Sequence, residues 1–296
     1  MGAWVLIREP WYETLAKDLT LTASRVRVRE QNTNNESEMP ASSRRRAVPG
    51  VAISLPIDAP TIQRPRVALG APDVVLGGGL ARGVLHEIFA ACEADAASAT
   101  GFAAAVVRLA VAAKPVLWVR HDALDGLTGR LHAPGLAEIG LDPDQILLVR
   151  APDIAACLRA GAAGARCAAL GAVLIEPWGE SKLIDLTASR RLSLAARASG
   201  VPLILLRAGA VPAPSAATTR WSIAAAPSRP LPGDSPGLPS FAATLLRQRG
   251  GPGGDWILEW NHDRRAFTEF PAAPPLSRAV VPLVADRSAE RARCAA

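Results

Sequence analysis

Lysine is almost missing from this sequence. Only Lys17, Lys114 and Lys182 occur in 296 residues, and none follows a glycine. That excludes a G-x-x-x-x-G-K-[ST] loop, in which glycine amides wrap phosphate oxygens and the lysine neutralises their charge. Cysteine is scarce too. Cys92, Cys157, Cys167 and Cys294 form no C-x-x-C pair, and His86, His121, His132 and His262 are scattered among them. No zinc-type ligand spacing arises, and no disulfide framework either, which fits a reducing cytoplasm. An H-E-x-x-H metalloprotease helix is absent as well. No uncharged apolar run is long enough to span a bilayer. The apolar start MGAWVLI is too short for a signal core and runs into Glu9 and Pro10. These absences lead us to expect a soluble cytoplasmic protein with no membrane contact, no metal and no cofactor.

Apolar residues are plentiful. At 49% hydrophobic content a large core can be buried. The net charge of +6 comes from 33 basic and 27 acidic residues spread along the chain. It permits weak DNA contact without marking a dedicated groove. Residues 1–64 differ from the rest: QNTNNESE is polar, and an arginine triplet stands at 44–46. We read them as disordered or weakly structured, with at most a short amphipathic helix in LIREPWYETLAKDL. Met39 is the only methionine after Met1, so the natural start is placed at one or the other. Residues 65–270 form the core, and 271–296 a mobile C-terminal tail.

Within the core, short apolar runs alternate with helical periods. Strands are expected at 84–89, 116–119, 146–149, 173–175 and 202–206. Helices are expected at 100–113, at 134–139, at 154–164 capped by Asp153, and at 182–198 capped by Ser181 and ended by Gly200. That alternation implies βαβ crossovers and an α/β fold with a mostly parallel sheet. Beyond Arg207 the chain becomes rich in proline and alanine. Strands at 221–225, 241–248, 256–260 and 266–270 then predict an antiparallel extension, with Trp256, Leu258 and Trp260 on one face.

Four segments, GGGLARGVLHEIF, VLWVRHDALDG, AVLIEPW and VPLILLR, follow one another as in the RecA ATPase core. Together with APGLAEIGLDPDQILLVRAPD, the departures in the phosphate loop make the chain resemble the ImuA family, RecA-like proteins of damage-induced mutagenesis. The resemblance implies a RecA-like sheet flanked by helices. It also locates what an ATPase would need. The loop after the first strand, 90–99, has no glycine or lysine and carries Glu93 and Asp95, which repel an anion. His121 stands where the family of ATPases has a water-orienting glutamate, Glu176 at the Mg²⁺ aspartate, and Arg207 at the polar sensor. We read His121 as a polar residue at a strand end and Arg207 as a surface charge. Positioning and charge neutralisation supply nearly all phosphoryl-transfer catalysis, so the joint departures argue against hydrolysis.

The resemblance therefore implies a non-catalytic accessory protein of SOS-induced translesion DNA synthesis. Its partner would be an ImuB-like inactive Y-family polymerase homologue, and through that an error-prone replicative-type DNA polymerase. Two alternatives stay open: a cell-division inhibitor of the SulA type, and a residual RecA-type DNA-dependent ATPase. Seven tryptophans are unusual beside one tyrosine. Trp178, Trp221, Trp256 and Trp260 are candidate partner anchors, although a core position would account for each equally well.

Overall fold

In a computed structural model, residues 65–269 apart from Asp234 are described. The expectations for residues 1–64 and 271–296 lie outside them. Strands β3 (Leu85–Ala90), β4 (Val116–His121), β5 (Ile146–Ala151), β6 (Ala172–Glu176), β7 (Leu203–Arg207) and β8 (Thr219–Ala225) run parallel. Strands β9 (Ser240–Gln248), β10 (Gly254–Asn261) and β11 (Ala266–Glu269) continue the sheet antiparallel. The order across the nine-stranded sheet is β11-β10-β9-β8-β3-β7-β6-β4-β5. This is the mostly parallel sheet flanked by helices that the sequence predicts, with its antiparallel C-terminal extension.

Strand alternation sorts the side chains into two cores. On one face Ile88, Trp118, Leu174, Ile204 and Trp221 meet Phe102 and Val106 of helix α2 (Ala96–Ala110). On the other, Leu117, Val173, Ile175 and Leu205 meet Cys157 of α5 (Ile154–Gly164) and Leu192 of α6 (Leu186–Ser199). Helix α5 lies close against the sheet because glycine faces it: a Cβ at Gly161 would run into Ile175, and one at Gly164 into Leu117.

Several local expectations hold to the residue. Asp153 Oδ1 accepts from the Ala156 amide and opens α5, and Gly200 ends α6 at φ 77°. Two helix starts differ. Helix α2 begins at Ala96 rather than Thr100, since the alanine-rich AASA carries no breaker. Helix α6 begins at Leu186, because Asp185 rather than Ser181 is its cap, accepting from the Ala188 amide at 2.7 Å. Ser181 holds a turn instead, with Oγ accepting from Leu183. Both residues are capping types, and their local sequences do not rank them.

One small unit had no sequence signal. β1 (Arg66–Val67) and β2 (Leu80–Ala81) pair antiparallel around the short helix α1 (Asp73–Leu76). Gly77, Gly78 and Gly79 all have positive φ and make the turn between α1 and β2. This glycine run precedes β3, at the end of the strand opposite to the one where a phosphate loop would follow it. The remaining helices, α3 (Leu124–Leu127) and α4 (Ala133–Ile139), lie between β4 and β5.

Candidate degenerate nucleotide site

Open α/β sheets bind ligands beyond the C-terminal ends of their strands. Here that edge is formed by β3, β7, β6 and β4. After β3 the chain makes a single 3-10 turn, Glu93–Asp95, and enters α2. The Ala91 amide donates to Ile223 O, and Asp95 Oδ1 accepts from the Ala225 amide at 2.8 Å. Asp95 Oδ2 accepts from Cys92 Sγ. The Ala225 amide, then the Cys92 thiol, hold the Asp95 carboxyl below its ordinary pKa. The turn is therefore stitched to β8 by a fixed negative charge, and Glu93 is exposed beside it. An anion approaching the α2 N-terminus meets carboxylate where helix amides alone would attract it.

Glu176, which the resemblance sets at the Mg²⁺ aspartate of an ATPase, is only 2% exposed. Its Oε2 accepts from Trp118 Nε1 at 2.8 Å and from Arg120 Nε at 3.1 Å, and Thr100 Oγ1 lies 3.3 Å from Oε1. Burial raises its pKa, against the opposing charge of Arg120 and the donated hydrogen bonds. Arg120 is equally enclosed. Nη1 donates to Asp125 Oδ1 and to the Gly129 carbonyl, both at 2.8 Å, and Nη2 donates to Thr128 Oγ1 at 2.9 Å. Outside it, Arg150 bridges Asp122 and Asp125, each at 3.0 Å. The donors around Glu176 thus come from the protein itself. Among the described residues no group of three His, Cys, Asp or Glu side chains could hold a metal ion.

The resemblance puts His121 and Glu176 at two separate positions that an ATPase would use. In the register of β4 and β6 it is Arg120 that stands opposite Glu176. His121 closes the strand end, its Nδ1 buried without a hydrogen-bond partner among the described residues, and it lines a pocket of about 160 Å³ with Asp125, Arg130 and Arg150. Arg207 corrects another reading. It is buried at 5% exposure, not a surface charge, and its guanidinium lies 5.5 Å above the Phe89 ring. Burial lowers its pKa, opposed by the charges of Glu87 and Glu180.

A second buried pair, Glu87 and Arg220 at 2.8 Å, links β3 to β8, with Ser215 Oγ donating to the same carboxylate oxygen. Sequence reasoning missed Arg120, Glu87, Arg220 and Trp118. A signal existed: charges inside the runs LHEIFA and VLWVRH must be paired if those strands are buried.

The tryptophans separate. Trp221 and Trp260 are 1% exposed and belong to the core, not to a contact surface, with their rings 6.1 Å from Phe102 and 5.0 Å from Phe267 respectively. Trp178 and Trp256 are half-buried and keep an exposed edge. Burial pushes the Cys157 thiol up to about 11. A G-x-S-x-G string at 233–237 lies in the β8–β9 loop rather than on a strand-to-helix elbow, and Ser235 Oγ donates to Pro232 O. Among the described residues no helix is long and apolar enough to cross a membrane.

No family model matches the chain. It is similar to "Protein ImuA" of Caulobacter vibrioides strain NA1000 / CB15N, 34% identical over 213 residues that cover 66% of this chain and 83% of the relative. The same figures hold for "Protein ImuA" of strain ATCC 19089 / CIP 103742 / CB 15. Among solved structures, the RadB recombinase aligns over 67% of this chain and 96% of its own, at 16% identity and a TM-score of 0.45.

Proposed function

The chain belongs to the ImuA family, and from that premise we propose that it is a non-catalytic RecA-like accessory protein of SOS-induced translesion DNA synthesis. It acts in the cytoplasm by binding an ImuB-like inactive Y-family polymerase homologue, through which an error-prone replicative-type polymerase is engaged. The supporting observation is the engagement of the buried Glu176 carboxylate by Trp118 and Arg120. Freeing that carboxylate for Mg²⁺ would break its bonds to Trp118 and Arg120 and leave the buried arginine with Asp125 as its one remaining carboxylate partner, at a cost in stability.

A sheet held by two apolar cores needs no nucleotide to fold. What remains for function is the surface of the loop around Trp178 and of the hairpin of β10 and β11, together with residues 271–296, which lie outside the described ones. Co-purification with an ImuB-like protein, using the full chain and a chain ending at residue 270, tests the reading. A stable complex with the full chain is expected, weakened by the truncation. No complex with the full chain, together with a normal damage-induced mutation frequency in a deletion strain, would refute the assignment. An undiminished complex after truncation would transfer the contact from the tail to the hairpin.

A further inference from the structure

Helices α5 and α6 cover one face of the sheet and leave a groove of about 280 Å³ between them, on the molecule's outer side. Leu158, Ala162, Leu183 and Leu192 line it, with Arg159 and Arg191 among them and no acidic residue. Leu183 is 54% exposed, and α6 presents Leu186 and Leu194 as well, at 39% and 64%. The nearby carboxylates are engaged elsewhere: Asp153 and Asp185 cap α5 and α6 through backbone amides. Among the described residues neither Arg159 nor Arg191 has an ion-pair or hydrogen-bond partner. An apolar floor with unmatched guanidinium groups fits neither a solvated helix face nor a phosphate backbone, which would strand the leucines against a hydrated anion.

Resting on the proposed function, we infer that this groove is a docking surface for an amphipathic helix of the polymerase-homologue partner, one with aliphatic anchors and flanking carboxylates. Such a helix seats its apolar residues among the leucines and its acids on Arg159 and Arg191. The chain's own C-terminal segment is a poor occupant. Residues 271–296 hold Arg278, Arg287, Arg291 and Arg293 against Asp286 and Glu290, so their charge has the same sign as the groove.

The test measures affinity of the full chain for the purified ImuB-like protein, for wild type, Leu183→Asp and the double variant Arg159→Glu with Arg191→Glu. All three sites are exposed, so folding is preserved, and thermal melts confirm it. Each variant is expected to bind at least about tenfold more weakly, with the arginine variant losing more at low salt than at high salt. Wild-type binding that neither variant changes overturns the groove alone. Absence of wild-type binding overturns the proposed function and the groove together. Tighter binding by both variants would mean that the chain's own segment LIREPWYETLAKDL already fills the groove, which also overturns it. So would single-stranded DNA binding that the arginine variant abolishes while Leu183→Asp leaves both DNA and partner binding intact.

Discussion

Arg120→Ala is expected to destabilise the chain by about 3–5 kcal/mol, the cost of leaving a buried charge without its partner. Glu176 loses its guanidinium, Asp125 keeps Arg150 and Arg130 but loses Arg120, and Gly129 O and Thr128 Oγ1 lose a donor each. Only Trp118 Nε1 and Thr100 Oγ1 then face the Glu176 carboxylate. Adding Glu176→Gln in the same chain should recover part of the loss. The glutamine oxygen still accepts from Trp118, and no buried negative charge remains to be compensated. Chemical denaturation of wild type, single and double variants measures this. A loss below about 1 kcal/mol for Arg120→Ala, the range of exposed pairs, would show the network to be solvated rather than structural.

The second large effect is acid sensitivity at His86. The ring is buried between β2 and β8: Nε2 faces the Ala81 carbonyl at 2.9 Å and Nδ1 faces Thr219 Oγ1 at 2.7 Å. A carbonyl only accepts, so Nε2 carries the proton and Nδ1 accepts from the Thr219 hydroxyl. That hydroxyl in turn accepts from Trp221 Nε1. A second proton on Nδ1 would break the chain of donors. Burial lowers the pKa from 6.5 to about 4, against the bond to Ala81. The unfolded chain therefore takes up a proton before the folded one does. Stability from this group is complete above the unfolded pKa and is lost as pH falls from 6.5 toward about 4. At about 1.4 kcal/mol per pH unit the full descent is worth about 3 kcal/mol.

Asp95, whose pKa is depressed, loses its own contribution as pH falls further, through its folded value. Glu176, whose pKa is raised, acts in the opposite sense: its contribution is present at low pH and is lost as pH rises through its folded value. Both act equally in wild type and in His86→Gln, whose side chain does not titrate. The stability gap between the two should therefore narrow by about 3 kcal/mol between about pH 7 and pH 4. A gap that does not move would remove His86 as the acid-sensitive element.

Much of the frame could be read from residue order. The strand cores fall within a residue or two of the apolar runs, because a parallel strand covered on both faces is written as uninterrupted Val, Leu and Ile. Caps were legible where one residue qualified, as at Asp153, and ambiguous where Ser181 and Asp185 competed. The site itself was harder. That the loop after β3 carries Glu93 and Asp95 and no lysine is a matter of residue type and needs no coordinates. That Arg120 rather than His121 meets Glu176 depends on the register of β4 against β6, which one strand's sequence does not contain. Trp221 and Trp260 fail as surface anchors for a similar reason. Alternation assigns a face, but only what covers that face, such as α2 over Trp221 and the Phe267 ring against Trp260, decides whether it meets solvent.

A nucleotide site replaced by internal bonds is tested most directly by isothermal titration of the full chain with ATP·Mg²⁺. Asp95 is bonded to β8, Glu176 is enclosed by Trp118, Arg120 and Thr100, and the turn after β3 offers no lysine. No binding tighter than about 10 μM, or roughly −7 kcal/mol, is expected. A dissociation constant at or below about 10 μM that rises on Glu176→Gln would contradict the replacement, because it would require Glu176 to leave Arg120 and hold the metal.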